Sequence, residues 1–248
     1  MLFPISDDNR GISGPVFVTY LILAANVGVF LLQLANDAFT YGWSIVPLEI
    51  MTGRDLVDPV AVNTGGQRVS IPQAPGPVPI YLTLLTSMFM HGGFAHIAGN
   101  MLYLWIFGDN VEHRFGHLRF LVFYLVAGLV GSAAQIAVDP DSVIPNLGAS
   151  GAISGVMGAY IVLFPHNRVN AVVFYHVISV PAIFVIGMWA LMQFVYGVGS
   201  IAVTEQTGGV AYMAHVGGFV AGVAMGVICR LTMNEEPDSI LYPRDRVD

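Results

Sequence analysis

The sequence predicts an all-α, polytopic membrane bundle of six transmembrane helices. Three observations carry that prediction. The 248-residue chain is 55% hydrophobic and only 10% charged, whereas a soluble domain is about 25% charged. Its mean hydropathy is +0.70. Six segments are apolar over lengths that approach the roughly 20 residues needed to cross a bilayer.

The first segment runs from about Val16 to Ala35. Before it, Met1 to Arg10 carries Asp7 and Asp8 and no basic n-region, which predicts a retained helix rather than a cleaved leader. The second runs from about Phe94 to Phe107, with an earlier start near Leu82–Leu85 also open. The third is Phe120 to Val138, the fourth Ser150 to Phe164, the fifth Ala171 to Tyr196 and the sixth Val210 to Leu231. The organisation expected is a cytoplasmic segment over 1–15, one membrane domain over 16–232, and an acidic cytoplasmic tail over 233–248.

A long first loop, 36–91, joins spans one and two. Its Pro-rich stretch Ile71–Pro79 forbids a regular helix there. Trp43, Ile45, Leu48 and Ile50 are apolar enough to rest among lipid headgroups. The net charge of −7 gives no basic footprint for nucleic acid. The lone cysteine, Cys229, excludes an intramolecular disulfide. All the basic residues are arginines. Arg10, Arg114, Arg119, Arg168, Arg230, Arg244 and Arg246 fall on one side of the predicted bundle; only Arg54 and Arg68 fall on the other. The positive-inside rule then puts both termini in the cytoplasm. His96, Ser150 and His215 fall near the outward ends of their helices.

Span four is short, so Ser150 at its start is predicted to lie below the outer surface. A polar residue at that depth needs a water-filled cavity. The irregular segment Asp139–Leu147 would line it. Ser150 stands between Gly148 and Gly151 in Gly148-Ala149-Ser150-Gly151. It can act as a helix N-cap. It can equally be a nucleophile, because free N–H groups and the positive dipole end there stabilise a developing oxyanion. His215 sits in Ala214-His215-Val216-Gly217-Gly218, on a helix where Gly218, Gly222 and Gly226 recur every four residues. Gly151 and Gly155 repeat likewise on span four. Such small-residue spacing lets membrane helices touch backbone to backbone. His215 is either a packed histidine bonded to a carbonyl or the base for Ser150.

His96 and Asn100 share one helix face at i and i+4. They fit either interhelical hydrogen bonds or an oxyanion hole. No His-Glu-x-x-His motif is present and no Asp or Glu lies in spans three to six, which argues against zinc and aspartic proteolysis. Glu112-His113-Arg114, at the inner end of span two, reads as a structural ion pair or hydrogen-bond hub. His113, His117 and His166 read as interfacial, and His176 as a packing or cavity residue.

These residues together resemble the rhomboid intramembrane serine proteases, in the bacterial six-helix form. The resemblance spans roughly Leu85 to Arg230. It rests on His91-x4-His96-x3-Asn100, Glu112-x-Arg114, Gly148-x-Ser150-Gly151 and Ala214-His215-x2-Gly218-x3-Gly222. It implies a Ser150–His215 catalytic dyad with an oxyanion hole of His96, Asn100 and the Ser150 backbone N–H. Gly148 would shape the adjoining loop, and His91 would lie near the water-access side. The activity implied is endopeptidase cleavage in or near transmembrane segments of membrane proteins. No metal or other cofactor is implied. The location implied is a bacterial inner membrane, with the site opening to the outer face and the lipid bilayer and substrate helices as partners. Span five and the Gly197–Gly209 loop would gate substrate access. The alternative is a proteolytically silent relative that binds transmembrane helices.

Two positions depart from the family. Many members carry an aromatic ring, stacked on the histidine, four residues after the nucleophile; Ser154 stands there instead. His215 is therefore expected to be held another way, by hydrogen bonding. The first loop also lacks the Trp-Arg pair of some members, since Ser44 follows Trp43.

Overall fold

The computed structural model describes residues 3–10, 12, 14–64, 66–202 and 210–233. Residues 234–248 of the acidic tail and the 203–209 part of the expected gate loop lie outside these described residues. The fold is mostly helical. Strand β1 (Phe3–Ser6) leads to α1 (Phe17–Ala35). The first loop then builds α2 (Asp37–Gly42), α3 (Pro47–Thr52), strands β2 (Val60–Thr64) and β3 (Gln67–Ile71), and a short α4 (Thr83–Thr86). Next come α5 (Phe94–Phe115), α6 (His117–Val138) and α7 (Ser150–Leu163). Strands β4 (Arg168–Val173) and β5 (His176–Pro181) precede α8 (Ala182–Ala202) and α9 (Tyr212–Thr232).

Four helices are long and apolar enough to cross a membrane: α1, α6, α8 and α9. The 14-residue α7 is apolar but shorter. Helix α5 has the length, 22 residues, but its C-terminal end carries Asp109, Glu112, His113 and Arg114. Phe17, Leu21 and Leu31 of α1 and Phe184, Leu191 and Phe194 of α8 are largely exposed. Apolar surface on that scale is a lipid-facing surface.

Helix α7 is the axis of the bundle. Every residue from Gly151 to Tyr160 is buried, as expected for a helix apolar all round. It packs on α5, α6 and α9. Helix α1 is turned inside out: its buried face carries the polar Thr19, Asn26 and Gln33. Aromatic residues pack between the C-terminal halves of α5 and α7, where the Phe107 and Tyr160 rings meet edge to face at 5.0 Å. Gly116, at φ +79, breaks the chain between α5 and α6, a backbone state glycine adopts without Cβ strain.

Two small sheets correct the all-helical expectation. Strands β1, β4 and β5 form an antiparallel sheet, with Phe3 opposite Val172 and Arg168 opposite Pro181. Ala171 to Pro181, expected in the fifth span, forms most of the β4–β5 hairpin. A Val/Ile-rich run is ambiguous between strand and helix; here the two halves pair with each other, and β1 adds to the β4 edge. Helix α8 also continues past Tyr196. Strands β2 and β3 form a second hairpin within the first loop.

The first loop packs into the protein. Ile45 is buried and Trp43, Leu48 and Ile50 are half-buried. Ile45 and Asn146 exchange backbone hydrogen bonds of 2.9 and 2.7 Å. The Leu48 N–H donates to the Ser142 carbonyl at 3.0 Å, and Gln73 Nε2 donates to the Val143 carbonyl at 2.6 Å. The loop therefore clamps the segment just before Ser150.

Candidate active site

The site begins at the turn into α7. Gly148 has φ +139, a region L side chains rarely adopt. A Cβ there would also sit 3.0 Å from His96 Cε1 and Nε2. Glycine is needed both for the turn and for the room it leaves. The Gly148 N–H donates to the Ser87 carbonyl at 2.9 Å, fixing the turn to the first loop. Ser150 opens α7, where the first-turn N–H groups precede the intrahelical ladder.

The glycine-lined α7–α9 contact brings Ser150 and His215 together across 65 residues. A Cβ on Gly218 would strike the Gly151 carbonyl, and one on Gly222 the Gly155 carbonyl. Backbones so close leave the two side chains in direct reach: His215 Nε2 lies 2.7 Å from Ser150 Oγ. His215 Nδ1 lies 2.7 Å from Gln193 Oε1 on α8. An amide oxygen only accepts, so this bond puts the ring proton on Nδ1 and leaves the Nε2 lone pair facing the Ser150 hydroxyl. The Trp189 ring lies beside His215 at 6.0 Å between centroids and 38° between planes. Tyr212 meets it edge-on at 6.4 Å.

Ser154 lies fully buried in α7, and its hydroxyl donates to the Ser150 carbonyl at 2.5 Å. The aromatic contact and the hydrogen bond to His215 come instead from Trp189 and Gln193. Sequence reasoning missed both. A signal existed in their i, i+4 spacing and in a glutamine within an apolar span, since an intramembrane amide calls for a partner.

His96 Nδ1 accepts from the Gly92 N–H at 3.3 Å, which leaves Nε2 as a donor beside Gly148 and Ser150. Asn100 is buried and its Nδ2 has no partner within the protein. A buried donor left unsatisfied costs about 1–3 kcal/mol. His96, Asn100, Ser150, Trp189, Gln193 and His215 all line a cavity of about 1360 Å³. A second cavity of about 40 Å³ lies on the far side of Ser150, bordered by Ser87, Ser132, Gln135 and Asn146. Its size and polar rim suit water.

His91 sits next to His96 but is itself buried. It is 2% exposed, lies behind His96 with ring centroids 5.2 Å apart, and has its backbone held by Gln33. At the opposite end of α5, the fully buried Glu112 accepts from the Val18 and Thr19 N–H groups at 2.8 and 2.6 Å. A carboxylate at the α1 N-terminus complements the helix dipole. Glu112 also meets His117 Nδ1 at 2.6 Å, so His117 has a partner that sequence did not reveal. An Arg114 guanidinium N–H donates to the Met233 carbonyl at 3.3 Å. His176 is exposed on β5, not a packing or cavity residue. Among the described residues, no group of three or more His, Cys, Asp or Glu side chains could hold a metal.

Fold and site together define a class: a membrane helix bundle with a hydrogen-bonded serine–histidine pair between two of its helices. The chain belongs to the rhomboid family, since the family model described as Rhomboid domain matches residues 80–232. It is similar to Rhomboid protease GluP of Bacillus subtilis, 38% identical over 144 residues that cover 58% of this chain and 26% of that protein. It is similar to Rhomboid protein 1, mitochondrial, of Saccharomyces cerevisiae, 32% identical over 153 residues that cover 58% of this chain and 41% of that one. RHOMBOID-like protein 4 of Arabidopsis thaliana matches a longer stretch, 216 residues at 26% identity, covering 87% of this chain and 45% of that protein. The chain spans less than half the length of each of these relatives.

Proposed function

We propose that this chain is an intramembrane serine endopeptidase that cuts membrane proteins in or near their transmembrane segments. One observation carries the proposal: the 2.7 Å contact of Ser150 Oγ with His215 Nε2 beside a cavity that the unpartnered Asn100 Nδ2 also borders. Family membership and the protease named among its relatives support it.

Ser150 Oγ attacks the scissile carbonyl carbon and its proton passes to His215 Nε2. The carbonyl electron pair moves onto oxygen, where Asn100 Nδ2, His96 Nε2 and the Ser150 N–H serve as donors. Collapse of the tetrahedral intermediate breaks the C–N bond, and the imidazolium returns its proton to the leaving amine. Water then gives a proton to His215 and attacks the acyl ester; collapse of this second intermediate breaks the C–O bond, Ser150 Oγ takes the proton back from His215, and the carboxylic acid product leaves. Gly148 shapes the hole, Ser154 braces the turn below Ser150, and Gly151, Gly218 and Gly222 keep α7 and α9 close.

In the membrane, α1, α5, α6, α7, α8 and α9 are the six crossings. Helix α7, 14 residues long, extends about 21 Å at 1.5 Å per residue. That falls roughly 9 Å short of a 30 Å hydrocarbon core, so Ser150 sits below the outer surface at the base of a hydrated cavity. The arginine distribution puts both termini in the cytoplasm, which suits a bacterial inner membrane.

The test is cleavage of a fluorogenic transmembrane peptide by the protein in lipid vesicles. Wild type cleaves, and Ser150→Ala and His215→Ala do not. A folded wild type that binds the peptide without cutting it would replace this proposal with a silent helix-binding protein.

A further inference from the structure

We propose that Gln193 is the third member of the site, a positioning residue that sets the tautomer and orientation of His215 from helix α8. The proposal rests on the protease reading above. It has three supports. The Gln193 Oε1 to His215 Nδ1 distance is 2.7 Å, equal to that from His215 Nε2 to Ser150 Oγ, so the three side chains form one hydrogen-bonded line. Gln193 lies in an apolar helix and borders the cavity that holds Ser150. A side-chain amide on such a helix is retained where it has a partner. The ring is also flanked by Trp189, one turn before Gln193 on the same helix face. Helix α8 therefore grips His215 by an amide and by an aromatic face.

The chemistry needs one of the two possible amide orientations. With the oxygen toward Nδ1, the ring proton stays on Nδ1 and Nε2 can take the serine proton. With the amide nitrogen toward Nδ1, the ring proton would move to Nε2, and His215 could only donate to Ser150. The first orientation supports general-base catalysis and the second forbids it. An acceptor at this position is thus the functional requirement, and a carboxylate can replace the amide where an apolar side chain cannot. The same bond links the base to the position of α8, so displacing that helix loosens His215.

The experiment compares wild type, Gln193→Met and Gln193→Glu in lipid vesicles. It measures the rate of fluorophosphonate labelling, kcat and KM for a transmembrane peptide, and the melting temperature. In Gln193→Met, labelling and kcat should fall about 10- to 100-fold, as expected when a catalytic group is misplaced by an ångström or so, with KM nearly unchanged. In Gln193→Glu, both rates should return to within a few-fold of wild type. Wild-type rates in the Met variant would overturn the proposal. So would equal losses in folded Met and Glu variants, which would leave Gln193 a packing residue. If the Met variant does not fold, a folded but unlabelled Glu variant is enough to overturn it. A wild type that neither labels nor cleaves would instead bring down the protease reading, and this inference with it.

Discussion

Replacing Gly222 by alanine should separate the catalytic pair without touching it. A Cβ on Gly222 would collide with the Gly155 carbonyl oxygen and lie 2.6 Å from its carbon and 2.7 Å from its Cα. Carbon atoms in ordinary contact stand about 3.5–4.0 Å apart, so α9 must retreat from α7 by roughly 1 Å. No flexible side chain is there to yield; the obstacle is backbone. His215 lies about two turns away on the same face of α9. A retreat of roughly 1 Å carried to that point would stretch the 2.7 Å bond to Ser150 beyond hydrogen-bond range. Overpacking of this kind costs about 1–3 kcal/mol, and a misplacement of about 1 Å costs on the order of 100-fold in rate. Thermal unfolding in detergent, together with fluorophosphonate labelling at a temperature where the variant is folded, reads both effects. Gly226→Ala is the graded comparison, because its Cβ would meet its nearest atoms, on Ala159 and Val162, at 3.1 Å; its effect should be smaller. Gly28→Ala, with nothing within 4 Å of its Cβ, should leave labelling unchanged. A Gly222→Ala protein as stable and as quickly labelled as wild type would refute the backbone-contact argument.

Asn100→Ala should slow cleavage about 100- to 1000-fold with little change in melting temperature, because its Nδ2 has no partner in the folded protein to lose; equal loss of stability and activity would make it a structural residue. Glu112→Gln should lower stability by about 1–3 kcal/mol while labelling per folded molecule stays near wild type, because the carboxylate serves the α1 N-terminus rather than the cavity; thermal unfolding and active-site titration separate the two. Burial raises the Asp7 carboxyl from 3.8 to about 7, opposed by the Tyr160 hydroxyl and reinforced by the nearby Asp109 and Asp8 charges. Burial likewise raises Glu49 from 4.5 to about 7. Both carboxyls hold their protons more tightly when folded, so their contribution to stability is full in acid and is lost as pH rises through about 7. Melting temperature should therefore fall between pH 5 and 8 in wild type, and the slope should flatten in the Asp7→Asn, Glu49→Gln double variant; an unchanged slope would contradict this assignment.

The helices of the bundle were legible in the sequence because lipid imposes long apolar runs with few exceptions. The predicted starts of α1 and α7 lie within one residue of those found. Ser150 and His215 were legible for a related reason: polar groups stand out against such runs, and glycines at four-residue spacing marked the faces that meet. The structure brings those two side chains together and sets His96 beside them. What was not legible depends on contacts between distant segments. Gln193 gains its meaning only from His215, 22 residues away on another helix, a pairing that no periodicity describes. Residues 171–181 read as helix because Val and Ile suit either state, and pairing between strands, which the run itself does not display, decides between them. Nothing in the sequence around Glu49, on α3 in the first loop, marks it as buried. It is buried, and its carboxylate accepts from the Leu56 N–H at 2.7 Å.

The most direct measurement is mass-spectrometric mapping of the fluorophosphonate adduct on the folded protein in lipid vesicles, wild type beside His215→Ala and Ser150→Ala. A single adduct on Ser150, strongly reduced without His215 and absent without Ser150, is the predicted result. No adduct on folded wild type, or an adduct on another serine that survives in Ser150→Ala, would contradict the Ser150–His215 dyad.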